Sequence, residues 1–303
     1  MEQEIKREYS FCTLCERKCG VDRTRGELGF CRQTSGLKLS RAALHMWEEP
    51  VISGERGSGA IFFSGCSLGC VYCQNSGISH GGDGLFVEDE RLCEIMLELQ
   101  AKGAHNINLV TPTHFAPTVV EQARRARKKG LYIPIVYNTG SYDSVNTLKL
   151  LEGTVDIYLP DFKYYLEKTG RYLSRANDYP STAKTAVLEM VRQIPTPIVE
   201  NGLMKRGVIV RVLLLPMHLG EAKLTVKYLY ETFGNSIYIS LMSQYTPMPG
   251  MKAPLDRRVT VKEYEELVDY AEKIGVVNGF TQERGSAEES FIPSFDYTGV
   301  EKK

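Results

Sequence analysis

Seven of the eight cysteines in this 303-residue chain are packed into two short windows, and thiols so spaced do metal chemistry. Cys66, Cys70 and Cys73 lie in SGCSLGCVYCQN, and Cys12, Cys15, Cys19 and Cys31 in CTLCERKCGVDRTRGELGFCR, while Cys93 stands apart beside Leu92 and Met96 as a buried thiol. A disulfide framework would spread its cysteines along the chain. The charged opening MEQEIKREYSF lacks the apolar run of an export signal, so a reducing, cytoplasmic setting and metal ligation are expected.

Each window suggests a different ligand set. Three thiolates within eight residues, with Gly65 before them and Gly69 among them, can wrap a compact iron–sulfur cube. An electron-carrying [4Fe–4S] cluster normally takes four cysteines. With three, one iron stays open and can bind a small molecule, which turns a carrier into a catalyst. The alternative is structural zinc with His80 as fourth ligand. Against zinc, the spacing is not that of paired C-x2-C hooks, and the triad directly follows an apolar strand. The N-terminal pattern C-x2-C-x3-C-x11-C is a complete set for either a zinc ion or a second [4Fe–4S] cluster, and the reading leans to the cluster. Arg17, Lys18, Arg23, Arg25 and Arg32 among these cysteines could contact phosphates, but without interleaved aromatics a solvated basic face is expected.

The elements that must position these groups alternate along the chain. Apolar runs at 60–65, 107–113, 133–140, 155–163, 208–216 and 237–245 read as buried parallel strands. Helical stripes lie between them: Leu92 to Leu99 ending at Gly103, a helix opened by Pro117 and ended by Gly130, and a run after Ser181. Thr260 and Glu263 form a capping box before a final helix. Six βα units in about 190 residues favour a partial (β/α)6 barrel of the TIM type over the ~250-residue closed form, with a doubly wound open sheet as the alternative. The chain divides into a cysteine-rich metal-binding segment and linker at 1–50, the barrel at 51–250, and a helix and tail at 251–303, the tail carrying no assigned function. In either architecture the chemistry belongs at the strands' C-terminal ends, where Thr111, Thr113, Asn138, Thr139, Asp161 and Lys163 fall. Lys plus Arg and Asp plus Glu each number 37, which argues against a DNA-coating polyelectrolyte. No apolar stretch approaches the ~18 residues of a membrane span.

Cys66, Cys70, Tyr72 and Cys73, read as C-x3-C-x-aromatic-C, resemble the signature of the radical S-adenosylmethionine (SAM) superfamily. The context from residue 59 to about 245 is similar to pyruvate formate-lyase activating enzyme-like proteins. The resemblance implies a partial (β/α)6 barrel and an oxidoreductase that chelates SAM at the open iron. One electron from a reductant such as flavodoxin or ferredoxin then cleaves SAM to methionine and a 5′-deoxyadenosyl radical that abstracts hydrogen. The substrate implied is a protein or peptide, such as a glycine of a glycyl-radical partner. Tyr72 occupies the position that packs near adenine. Asp161-Phe162-Lys163 is similar to an Asp-Leu-Lys that contacts the cofactor, Asn138-Thr139-Gly140 to a polar strand end, and Arg211 to an arginine suited to the cofactor carboxylate. An auxiliary N-terminal cluster would relay electrons, although extra cysteines in the family usually follow the triad. Where such enzymes carry Gly-Gly-Glu for the SAM amino group, this chain has Thr111-Pro112-Thr113-His114, and the threonine hydroxyls and backbone replace a carboxylate. His114 is either an acid/base or substrate contact or a hydrogen-bonded structural histidine. A different class, a zinc-ribbon nucleic-acid-binding protein without catalysis, and a simple electron carrier are the competing functions.

Overall fold

The computed structural model describes residues 7–80, 82–282 and 293–302. Its sheet is built on β2 (Ser58–Phe63), β4 (Ile107–Val110), β5 (Ile135–Thr139), β6 (Ile157–Pro160), β8 (Leu203–Leu213) and β9 (Tyr238–Met242). These run parallel and lie side by side in chain order, with β10 (Gly279–Phe280) added after β9 and the short β7 (Ile198–Glu200) antiparallel on β8. A doubly wound sheet reverses its strand order at a switch point. None occurs here, so the open-sheet alternative falls and the architecture is a partial barrel. With crossovers of one hand, helices cover one face and the other turns inward.

Strand alternation sorts the side chains accordingly. Ile135, Tyr137, Tyr158, Val208 and Val210 join the main core with helical residues such as Leu92, Val119, Leu148 and Val187. Val136, Ile157, Leu159 and Ile209 form a separate inner cluster. Register then aligns the inward polar residues: Val110 pairs with Asn138, Asn138 with Leu159, and Asp161 bridges to Arg211. Most strands are shorter than their apolar runs suggest. β4 stops at Val110 because Thr111 takes a left-handed φ of 59° and Thr113–Phe115 form a 3-10 turn. The helices Asp89–Ala101 and Ala116–Lys128 fall where the stripes put them, and the capping box of Thr260 and Glu263 opens Val261–Ile274.

The stretch read as a linker is part of the fold. Lys38–His45 form β1, antiparallel to β2 in a register running from Leu39 opposite Phe63 to His45 opposite Ser58. On its other side β1 pairs the two-residue β3 (Leu85–Phe86), and this half-polar strand lacks the continuous apolar run that marks the parallel strands. The chain then turns inside the barrel. Glu49 is buried, and Ile52, on the short helix Pro50–Ser53, joins the inner cluster, so this segment plugs the barrel from within.

The tail also returns to the sheet. The Ala42 amide donates to Thr298 O at 2.8 Å, the Tyr297 amide to Ser40 O at 3.1 Å, and Val300 is fully buried. Arg91 grips this strap through the carbonyls of Gly299, Val300 and Glu301 at 3.2, 3.0 and 3.2 Å. Phe295 packs edge-on against Phe62, with centroids 5.4 Å apart, on the inner wall. Among the described residues no helix is long and apolar enough to cross a membrane. Arg91→Ala removes charge-assisted hydrogen bonds that hold the strap and is expected to cost about 2–3 kcal/mol, read as a lower urea midpoint at unchanged m-value.

Candidate active site

A cavity of about 250 Å³ opens at the C-terminal ends of the parallel strands. Cys66, Cys70 and Cys73 line one side of it. Tyr72, Thr111, Asn138, Asp161, Lys163 and Arg211 line the rest, so residues from five separate stretches meet in one place. Thr113 and His114 are not part of this wall.

The triad loop follows β2 directly and is held tightly. Gly65 has φ of 84°, and a Cβ there would lie 2.6 Å from the Cys31 carbonyl oxygen, so only glycine fits. The Leu68 amide donates to Cys66 Sγ at 3.3 Å, and Ser79 Oγ lies 3.2 Å from Cys73 Sγ. Ser174 Oγ donates to Cys70 Sγ at 2.9 Å. With that proton committed, Tyr164 must donate to Ser174 across 2.7 Å, and Tyr72 to Tyr164 across 2.7 Å. The aromatic of the motif is thereby fixed by a chain of hydroxyls ending on a triad sulfur. Burial pushes the Cys66 and Cys73 thiols up, with the neighbouring sulfurs adding to it. Metal binding must therefore displace protons that the protein alone holds firmly.

Opposite the thiols sits a buried charge network. Arg211 Nε donates to Asp161 Oδ1 at 2.7 Å, Nη1 to Glu48 Oε2 at 3.0 Å and Nη2 to Asn138 Oδ1 at 2.7 Å. Lys163 Nζ donates to Asp161 Oδ2 at 2.7 Å. Burial alone would raise the Asp161 carboxyl, but Arg211 and Lys163 outweigh it and hold the group below the usual carboxylate range. Burial likewise opposes the Lys163 ammonium, and Asp161 more than compensates. Glu48 and Glu49 are pushed up by burial, with Arg211 opposing. Glu48, which also accepts from Asn108 Nδ2 at 2.9 Å, was missed from sequence. Its only signal is a Glu-Glu pair before Pro50, and its partner lies 163 residues away.

Thr113 donates to Asp143 Oδ1 at 2.7 Å, and Tyr137 and Thr139 donate to the same carboxylate at 2.8 and 2.6 Å. This is a buried brace behind the cavity wall. His114 is fully enclosed, its Nε2 2.7 Å from the Ser64 carbonyl oxygen. Burial, with the nearby Arg23 guanidinium, lowers its pKa to about 3, so the ring is neutral at pH 7 and carries no imidazolium proton to give as a general acid.

The N-terminal segment docks beside the triad. Its basic residues are largely committed: Arg23 donates to the carbonyls of Gln33, Thr34 and His114, Lys18 pairs with Glu16, and Arg25 with Asp22. That leaves little of a phosphate-binding face. His80 does not line the cavity with the thiols, so the zinc reading of the triad has no fourth ligand there. Among the described residues, no three His, Cys, Asp or Glu side chains close around a single ion. The donor set itself fits a cluster: three cysteine thiols from one glycine-relieved loop face a cavity roomy enough for a small molecule.

Comparison with known proteins agrees with this architecture. Residues 60–203 match the Radical SAM superfamily. An uncharacterized protein of Methanocaldococcus jannaschii is 30% identical over 281 residues, covering 88% of this chain and 76% of its own. Among solved structures, Streptococcus suis SuiB bound to S-adenosylmethionine has a TM-score of 0.51 at 11% identity, covering 73% of this chain and 49% of its own. The FeFe-hydrogenase maturase HydG of Carboxydothermus hydrogenoformans has a TM-score of 0.52 at 11% identity, covering 77% and 56%. The chain thus spans about half the length of these solved structures. It belongs to the radical SAM superfamily, whose enzymes catalyse radical reactions and whose members imply a [4Fe–4S] cluster and SAM.

Arg211→Met strands the buried Glu48 carboxylate and leaves Asp161 with Lys163 alone, and is expected to cost about 3–5 kcal/mol, with part recovered by adding Glu48→Gln, as denaturant unfolding would show. His114 stays neutral in the fold down to about pH 3, whereas the unfolded chain protonates it near 6.5. Stability is therefore lost as pH falls through that window, by up to about 1.4 kcal/mol per pH unit. His114→Gln should flatten this dependence in urea titrations at stepped pH.

Proposed function

We propose that this chain is a radical SAM oxidoreductase that cleaves SAM reductively and abstracts hydrogen from a protein or peptide, in the manner of a glycyl-radical activating enzyme. The observation that carries this reading is the meeting of three thiols and a Lys163–Asp161–Arg211 network in one cavity at the strands' C-terminal ends. Cys66, Cys70 and Cys73 would hold the [4Fe–4S] cluster, which when bound supplies one electron and an open iron for the methionine end of SAM.

The remaining residues bind and orient. Lys163 spends one N–H on Asp161 and has two left to offer a carboxylate at the cavity mouth. Arg211 is braced on three sides by Asp161, Glu48 and Asn138, which fixes the direction of its free N–H groups. Tyr72, locked through its hydroxyl, presents a ring edge and face suited to a flat base. Thr111 offers a hydroxyl and carbonyl from a left-handed conformation that a β-branched residue adopts only under strain, and this stands where a carboxylate is absent. Phe62, Leu213 and Met242 supply apolar wall that excludes water from a reactive species.

A peptide substrate suits a cavity whose rim includes Trp47, a large and exposed ring. SuiB, of the same fold, has been crystallised with its precursor peptide SuiA. The electron would come from a one-electron carrier of the flavodoxin or ferredoxin class. Anaerobic reconstitution should load about four irons per cluster. With dithionite and SAM the protein should then yield 5′-deoxyadenosine and methionine, measured by liquid chromatography. A yield no higher than that of Cys73→Ala would refute the proposal.

A further inference from the structure

We propose that Cys12, Cys15, Cys19 and Cys31 hold a thiolate-bound metal centre, and that this centre seats Arg17 and Phe30 on the triad loop, making the N-terminal segment a clamp on the catalytic cluster. The clamp rests on the reading of the triad as a cluster site. The four-cysteine centre does not.

The backbone folds the four cysteines into one small unit, although no three of the thiols already close around a single ion. The Cys12 amide donates to Val21 O at 3.1 Å and the Gly20 amide to Cys12 O at 3.0 Å, folding the first cysteine against the turn after the third. The Phe30 amide donates to Cys19 Sγ at 3.3 Å, which draws Cys19 to the turn carrying Cys31. Glycine suits position 29, because a Cβ there would lie only 3.0 Å from the Cys19 sulfur, tighter than an ordinary contact. Apolar packing in the segment is confined to Tyr9, Cys12 and Leu14 with Val21 against them, too little to hold it alone. Four thiolates in so small a unit supply what the core lacks by binding a thiophilic metal, either zinc or iron with sulfide.

Each contact from this segment to the triad loop is made by a candidate ligand or a close neighbour of one. Arg17, two residues from both Cys15 and Cys19, donates through Nε to Ser67 O at 2.9 Å and through Nη2 to Ser174 O at 3.0 Å. Ser67 lies between Cys66 and Cys70, and Ser174 is the residue whose hydroxyl donates to Cys70 Sγ. Phe30, next to Cys31, lies 3.2 Å from the Cβ position of Gly69 and carries the Arg17 guanidinium 3.8 Å above its ring. The Cys31 carbonyl covers Gly65, and Arg32 donates to His80 O at 3.1 Å. A metal that fixes Cys15, Cys19 and Cys31 therefore fixes the backbone that supports the triad from outside. Arg17 is a positioning residue: it touches neither cluster nor cofactor, and acts on Cys70 through Ser67 and Ser174.

Two variants of the full chain test the two halves. The Cys66→Ala/Cys70→Ala/Cys73→Ala variant, purified anaerobically and assayed for zinc, iron and sulfide, should retain one centre per chain. Zinc identifies a structural ion and iron with sulfide a second cluster, and either upholds the site. No stoichiometric metal overturns it. Arg17→Ala should keep that N-terminal metal and fold normally by circular dichroism. Its SAM dissociation constant should rise about tenfold, the scale of lost charge-assisted hydrogen bonds, and the paramagnetic resonance signal of its reduced triad cluster should shift. Arg17→Lys should fall between, since an ammonium cannot span the same carbonyls. Unchanged affinity and signal in Arg17→Ala would overturn the clamp. A wild-type triad that takes up no cluster defeats the functional reading and the clamp together, while metal in the triad-free variant would still uphold the four-cysteine centre.

Discussion

An arginine inside a β-barrel is tolerable only with its counter-charges in place, and much of this molecule follows from that requirement. Arg211 points inward because its neighbours on β8, Val210 and Val212, point to the helices. Its guanidinium then needs acceptors from elements far apart in the chain: Asp161 from the end of β6, Asn138 from β5, and Glu48 from the plug. Removing Arg211 would leave buried carboxylates short of their counter-charge, which is far costlier than never having buried the pair. The network is a weak source of stability and a strong source of geometry. It fixes Asp161, and through it Lys163, at the mouth of the cavity.

The thiol side obeys a steric constraint of comparable force. Where the triad loop meets the N-terminal segment the backbones leave little room for a side chain, and Gly65 and Gly69 lie where that segment presses close. That contact closes the back of the triad against solvent, and Ser174, Leu68 and Ser79 satisfy the sulfurs from the sides. One face remains, and it looks into the cavity toward Lys163. The two halves of the site are thus held by different physics, charge pairing on one side and close backbone approach on the other.

The parallel strands were legible in the sequence because burial on both faces leaves continuous apolar runs, and the triad because its spacing is short-range. What escaped detection was whatever depended on partners distant in sequence. β1 is a half-polar strand between β2 and β3 with no continuous apolar run, so its stretch reads as a linker. Glu48 looks like surface charge until Arg211 is placed 163 residues further on. Thr113 and His114 fall at a strand end in sequence, but the left-handed Thr111 turns the chain, and they face a buried brace and the Ser64 carbonyl instead. Ser174 and Tyr164 carry no motif at all. They matter because a hydroxyl chain joins them to Cys70 and Tyr72.

The cavity wall has two origins, and the division bears on specificity. The thiols, Asp161, Lys163 and Arg211 come from the repeated βα units, whose register is fixed by the sheet. His45 comes from the end of β1, Trp47 and Glu48 from the plug and Pro293 from the returning tail, all outside those units. A repeated scaffold sets the geometry of whatever binds at strand ends, whereas segments packed onto it from outside can change without disturbing the register. On the proposed function, cofactor binding would fall to the strand ends and substrate choice to the plug and tail. The same segments cover β1 and fill the open inner wall, so the parts that complete the fold are also those that shape the far side of the site.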